Sequence, residues 1–221
     1  MDQRKENLLK LIIENYIDSA EPVGSKFLVE EAALDVSGAT VRNEMRELEE
    51  AGYLTHPHTS AGRIPTESGY RYYVERLMGT TPAKKLDVKK LETLAKADGL
   101  KSVGKYVADA TESAVIIALN RNSVYYTGIS YLFAQPEFQD YAHTVRMSEI
   151  FDHCEDHIDE LYEAVEKTAT RVLIGQENPL GGACTLFATR LPQGKLFAVM
   201  APLRTAYVRT LQLVEAVKAI A

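Results

Sequence analysis

Arg42, Asn43 and Arg46 fall within one short stretch, and Arg63 follows in the segment Pro57-His58-Thr59-Ser60-Ala61-Gly62-Arg63-Ile64-Pro65-Thr66. These residue types suit recognition of a nucleic acid. A guanidinium can fork onto the two acceptors of guanine, and a carboxamide can pair with the donor and acceptor of adenine. An arginine on a stiff loop can reach phosphate or a minor groove, which positions a protein without reading sequence. That chemistry works only if the first three side chains share a face and the fourth is delivered beside them.

The surrounding sequence predicts elements that do both. Leu8, Leu9, Ile12, Ile13, Tyr16 and Ile17 recur at helical spacing, so residues 3–19 read as an amphipathic helix that Glu21-Pro22-Val23-Gly24 ends. Ser25 stands where a cap belongs for a second helix over Lys26 to Ala32, with Leu34-Asp35-Val36 as the turn after it. Ser37 caps a third helix that runs to about Ala51 and stops at Gly52. Its Val41, Met45 and Leu48 form the core stripe. Ala39, Arg42, Asn43, Arg46 and Glu50 then lie opposite, small and basic in the first turns and acidic later. Tyr53-Leu54-Thr55-His56 and Arg63-Ile64-Pro65-Thr66 can pair as the arms of a hairpin. Pro57 and Pro65 stiffen it, and Gly62 permits a turn beside Arg63. Thr66 caps a last helix from Glu67 to Met78. A helix for a groove and a loop for the adjoining backbone is the layout of a winged helix-turn-helix. The plainer reading of the third helix is a solvated face laced with Arg–Glu pairs, and Arg46 with Glu50 makes such a pair.

Charge argues mildly against nucleic acid. The chain of 221 residues carries a formal net charge of −6, of which residues 1–80 hold −5. An acidic domain still binds phosphate if its cations are gathered on one face. The apolar runs at 114–119 and 196–201 are too short to cross a bilayer, and the first residues lack the apolar stretch of a signal peptide. Two cysteines, Cys154 and Cys184, form neither a CxxC pair nor a disulfide framework. A soluble cytoplasmic protein without membrane attachment is expected.

Beyond a linker at Gly79–Lys85, helical spacing of Leu91, Leu94, Leu100, Val103 and Val107 predicts two helices flanking Asp98-Gly99. Strands are predicted over Ala114–Leu119, Ser123–Leu132, Arg171–Gly175, Cys184–Leu191 and Lys195–Ala201, and long helices over Glu149–Thr170 and Thr205–Ala219. The fold class is therefore α+β, or an α/β layer in the second half.

Other chemistry is weaker. His153 and His157 are spaced for one helical face, a pattern that can bind zinc. Phe151, Cys154, Ile158, Leu161 and Val165 form a core stripe there, which turns Cys154 inward and leaves the histidines on a solvated acidic flank. No metal site or cofactor is expected. No GxSxG, Walker loop or GxGxxG occurs, so no enzyme is expected either.

The N-terminal region closely resembles the heat-inducible transcription repressor family HrcA. The residues that carry this are Glu21-Pro22-Val23-Gly24-Ser25, Val36 to Met45, Gly52-Tyr53-Leu54, Pro57 to Thr66 and Gly69-Tyr70-Arg71-Tyr72-Tyr73-Val74. Pro136-Glu137-Phe138, Ile174-Gly175-Gln176-Glu177-Asn178 and Pro202-Leu203-Arg204-Thr205-Ala206-Tyr207 look like motifs of that family's GAF-like domain. The resemblance implies a winged helix-turn-helix domain over residues 1–80, a linker and connecting helix over 81–104, and a GAF-like domain over 105–221. It implies a repressor of chaperone operons that binds a CIRCE-type inverted repeat in double-stranded DNA as a homodimer, with the chaperonin GroEL as a partner. The candidate DNA contacts are Ser37, Ala39, Thr40, Arg42, Asn43, Arg46, His58, Ser60 and Arg63. The family's inserted dimerising domain has no counterpart here, because only Asn120 to Ala134 spans that interval. The alternative is a regulator whose GAF-like domain senses a small ligand and switches DNA binding.

Overall fold

The computed structural model describes residues 1–30, 37–57, 62–80, 86–139, 141–165 and 169–221. They form two compact units, Met1–Pro82 and Ala83–Ala221. The whole is a mixed structure of helix and sheet.

In the first unit α1 (Gln3–Ser19) is capped by Asp2, whose carboxylate accepts from the Lys5 N–H, and ends at Ala20 in the left-handed region. Its predicted stripe is the core: Leu8, Leu9, Ile12 and Ile13 are buried. Then α2 (Ser25–Glu30) starts one residue earlier than its sequence suggests. Gly24, not Ser25, is its flanking residue, since the Gly24 carbonyl accepts the first helical bond from Leu28 at 3.2 Å. The predicted turn at Leu34-Asp35-Val36 lies outside the described residues. The helix α3 (Gly38–Glu50) is capped by Ser37, whose hydroxyl accepts from the Thr40 N–H, and it is followed by Gly52 at φ +79°. Such a cap stabilises a helix by about 1 kcal/mol.

Strands β1 (Leu54–Thr55) and β2 (Ile64–Pro65) pair antiparallel, Leu54 opposite Pro65 and Thr55 opposite Ile64. Thr66 caps α4 (Glu67–Tyr72) through the Gly69 N–H. The helix does not run evenly to Met78 as expected. It widens to a π-helical turn at Tyr73–Leu77 and tightens to a 3-10 turn at Met78–Thr80. The Tyr73 hydroxyl donates to Glu14 at 3.1 Å, and the Tyr72 hydroxyl donates to Glu6. Those bonds tie this last segment to α1. The Glu6 bond pushes the Tyr72 pKa up to about 12.

In the second unit α5 (Val88–Asp98) and α6 (Leu100–Thr111) meet at Gly99, whose φ of +72° makes the break. Five strands, β3 (Ala114–Asn120), β4 (Ser123–Thr127), β5 (Arg171–Ile174), β6 (Cys184–Arg190) and β7 (Leu196–Pro202), form one antiparallel sheet ordered β4-β3-β7-β6-β5. Alternate residues of the three inner strands fill two cores. Ala114, Ile116, Leu186, Ala198 and Met200 pack with Phe138, Met147, Phe151 and Leu161 from the helices that follow β4. The opposite face meets α6 and α10 (Tyr207–Ile220), where the rings of Phe187 and Tyr207 pack at a tilt with centroids 5.7 Å apart. The helix α6 comes so close to β3 that a Cβ at Gly104 would lie 2.8 Å from Ile117 Cδ1.

Two sequence expectations fail in this unit. The strand from Ser123 ends at Thr127, because Gly128 at φ +76° turns the chain into α7 (Ile129–Phe133). The helix expected over Glu149–Thr170 is two helices, α8 (Tyr141–Asp152) and α9 (Ile158–Ala164), separated by turns at residues 153–157.

Candidate nucleic-acid interface

The buried stripe of α3 decides what its other face presents. Val41, Glu44, Met45 and Leu48 are buried, so Ala39, Arg42, Asn43 and Arg46 all stand exposed. Glu44 is the unexpected member of that stripe. Arg4 of α1 meets its carboxylate, and Lys5 reaches Glu47 at 2.6 Å. The hydrogen bond to Glu47 raises the Lys5 pKa. Together these ion pairs fix the rotation of α3 against α1.

On the exposed face the side chains of Arg42 and Asn43 have no hydrogen bond or ion pair among the described residues, which leaves their donors and acceptors for a ligand. Arg46 lies 3.6 Å from Glu50, both side chains well exposed, so the pair is weak. The hydroxyls of Ser37 and Thr40 bond each other at 2.9 Å at the helix start. A groove of about 570 Å³ opens beside this face and is lined by Ser25, Lys26, Arg42, Asn43, Arg46 and Arg63 among others. Four of the nine predicted contact residues thus converge on one concavity. His58 and Ser60 lie outside the described residues.

Two features of the groove were not legible in the sequence. Lys26, with a side chain 85% exposed, adds a cation from α2, which packs on α3. Arg63 does not extend toward solvent as its loop position suggests. Its guanidinium is ion-paired with Glu49 at 2.7 Å, and its Nε is buried without a hydrogen-bond partner among the described residues. The same Glu49 carboxylate takes His56 Nδ1 on its other oxygen. Gly62 also acts differently from the turn role expected of it. Its backbone presses against Val23, where a Cβ would lie 2.5 Å from the carbonyl carbon.

His153 and His157 lie at the two ends of the turn between α8 and α9 rather than on one helix face. Each imidazole pairs with its own neighbour, His153 with Asp156 at 3.1 Å and His157 with Glu160 at 3.4 Å. Among the described residues no group of three or more His, Cys, Asp or Glu is placed to hold a metal ion. Cys154 and Cys184 are free and buried. Burial pushes their thiol pKa values up to about 11 and about 12. A cavity of about 250 Å³ is lined by Ala95, Leu100, Val103, Leu191 and Ile220, with Gln193 and Lys195 as its polar side chains. Among the described residues no helix is long and apolar enough to cross a membrane.

Comparison with known proteins bears on this arrangement. A heat-inducible transcription repressor HrcA of Cutibacterium acnes is 60% identical over 82 residues, covering 37% of this chain and 24% of that protein. The protein of the same name from Acetivibrio thermocellus is 58% identical over 78 residues, 35% of this chain and 22% of the relative. That of Desulforudis audaxviator is 43% identical over 129 residues, 55% of this chain and 37% of the relative. The chain therefore spans well under two thirds of these relatives. A solved structure described as a hypothetical protein at 2.2 Å resolution superposes over all of both chains with a TM-score of 0.78 at 18% identity, which establishes a shared fold and nothing further. Residues 71–211, more than half of the sequence, match the family described as HrcA protein C terminal domain. The chain belongs to the HrcA family.

Proposed function

We propose that this protein is a DNA-binding transcriptional repressor of heat-shock operons. Its first 80 residues are read as a winged helix-turn-helix, with α3 in the major groove and the β1–β2 hairpin as the wing. Residues 81–104 connect this to a GAF-like domain over 105–221. The observation that carries the reading is the pair Arg42 and Asn43 on the exposed face of α3, with no side-chain partner among the described residues, in the groove that also gathers Lys26, Arg46 and Arg63. The names of the relatives supply the regulatory context.

Arg42, Asn43 and Arg46, with Ala39 allowing close approach, are assigned to base edges, and Ser37 and Thr40 to the start of that helix. Arg63, His58 and Ser60 are assigned to the wing's backbone contacts. An inverted repeat of the CIRCE type calls for two copies related by a two-fold axis, hence a homodimer. Control by the chaperonin GroEL in the cytoplasm completes the proposal. It needs a repressor of low intrinsic stability, whose native population falls when chaperone help is withdrawn.

The test is fluorescence anisotropy on a CIRCE duplex, a half-site duplex and a scrambled duplex at physiological salt. Tight binding to the full site, with two chains per duplex, is expected. Equal, weak binding to all three would refute operator recognition. The alternative, a small-ligand sensor in the second unit, would need a deep polar cavity there. Among the described residues the inner strands β3, β6 and β7 are buried, and the cavity near Val103, about 250 Å³, has an apolar lining with Gln193 and Lys195 beside it.

A further inference from the structure

Every cation in the α3 groove differs in how firmly an acid holds it. Arg42 has no partner among the described residues, Lys26 is 4.0 Å from Glu30, Arg46 is 3.6 Å from Glu50, and Arg63 is 2.7 Å from Glu49. The last pair is also the most sheltered, with side-chain exposures of 23% for Arg63 and 22% for Glu49. Arg63 is held by its backbone as well. Its N–H donates to the Val23 carbonyl and its carbonyl accepts from the Val23 N–H, both at 2.9 Å. Among the described residues Nε is buried with no hydrogen-bond partner, so the guanidinium has a donor to spare.

We propose that Glu49 is a positioning residue of the DNA interface, a built-in counter-charge that keeps the wing arginine from phosphate until a matched duplex is seated. This rests on the DNA-binding reading above. Paired with Glu49, Arg63 presents no net charge at a distance and contributes little to loose association, which is driven by cation–phosphate attraction. A duplex already docked through Arg42 and Asn43 brings a phosphate oxygen to the wing. The guanidinium then exchanges the carboxylate for phosphate, and its unpartnered Nε gains an acceptor. Glu49 keeps His56 as its remaining partner, so the carboxylate is not stranded. The acidity of this unit thereby suppresses non-specific binding.

The test is Glu49→Gln, which keeps the shape and one acceptor oxygen of the side chain and removes its charge, measured on CIRCE and scrambled duplexes across a salt series. On scrambled DNA the variant should bind several-fold tighter, with a salt slope steeper by about one unit for one added phosphate contact. On the operator the slope should change little, because Arg63 already meets phosphate there, while affinity rises by the cost of the ion pair that no longer has to be broken. In an Arg63→Ala background the gain on scrambled DNA should vanish. A gain that survives there would mean general repulsion by Glu49, and no gain would mean a purely structural side chain. Either result overturns the proposal. Circular-dichroism melts of each variant establish folding. Should the native chain bind neither duplex, the DNA-binding reading fails and the displacement step with it. The clamp is then judged by a double-mutant cycle on unfolding, where coupling near zero between Glu49→Gln and Arg63→Ala would remove it as well.

Discussion

A side chain at position 62 would collide with Val23: an added Cβ would stand 2.5 Å from both the carbonyl carbon and the carbonyl oxygen of that residue. The next residue, Arg63, exchanges two backbone hydrogen bonds with Val23, so this arm of the hairpin is strapped to the turn ahead of α2. The glycine is needed for close approach, and its φ lies outside the left-handed region.

Gly62→Ala should therefore cost about 1–3 kcal/mol, because backbone on one side must shift to admit the methyl group. A urea titration monitoring the first unit should show a lower midpoint. DNA affinity should fall with it, since Arg63 moves with its backbone. An unchanged midpoint would mean that the hairpin does not press on Val23 in solution.

Much of this unit was legible because its helices obey a strict period. Val41, Met45 and Leu48 mark a core stripe, and the opposite face of α3 follows from geometry alone. Contacts that depend on how elements meet were not legible. Glu49 and Arg63 are joined only because the hairpin returns the chain to the end of α3. Lys26 enters the groove only because α2 packs on α3. In the second unit the break at residues 153–157 was hidden by apolar spacing that continues through it, since Cys154 and Ile158 are both buried. Gly128 ends β4 under a tertiary constraint, a Cβ there falling 2.4 Å from the Ser113 carbonyl oxygen.

Arg4 and Glu44 supply a prediction about stability. The Glu44 side chain is only 6% exposed, so Arg4→Ala leaves a sheltered carboxylate without its cation. The expected loss is about 1–3 kcal/mol. It should fall toward the lower end, because Arg4 itself is 62% exposed and water can partly replace it. Arg46→Ala, which breaks an exposed pair, should change stability by less than about 0.5 kcal/mol. Thermal melts of the two variants check the contrast; equal effects would mean that Glu44 is not sheltered.

The buried thiols predict an alkaline limit for the second unit. Cys154 and Cys184 have pKa values raised from an ordinary 9.0 to about 11 and about 12, chiefly by burial. The folded chain thus holds these protons more tightly than the unfolded one. Their contribution is fully present below about pH 9 and is lost as pH rises through the folded values. Urea midpoints should be level between pH 7 and pH 9 on this account and fall above it. Native protein should also resist a thiol-specific disulfide reagent at pH 8 and react at two sites once unfolded. Rapid labelling of folded protein would contradict the burial of both residues.

Arg42 and Lys26 should divide the labour of the groove in a way that binding data can separate. Arg42 lies on the exposed face of α3 beside Asn43, whereas Lys26 extends from α2 at the groove's flank. Arg42→Ala should cost about 1–3 kcal/mol on the operator and relax preference at one base pair. Lys26→Ala should weaken operator and scrambled DNA alike and reduce the salt slope by about one unit, as loss of one phosphate contact requires. The ratio of the two affinities is the discriminating quantity, because a phosphate contact leaves it unchanged and a base contact does not. If Arg42→Ala lowers both affinities by the same factor, α3 holds the backbone rather than reading bases, and specificity must arise elsewhere.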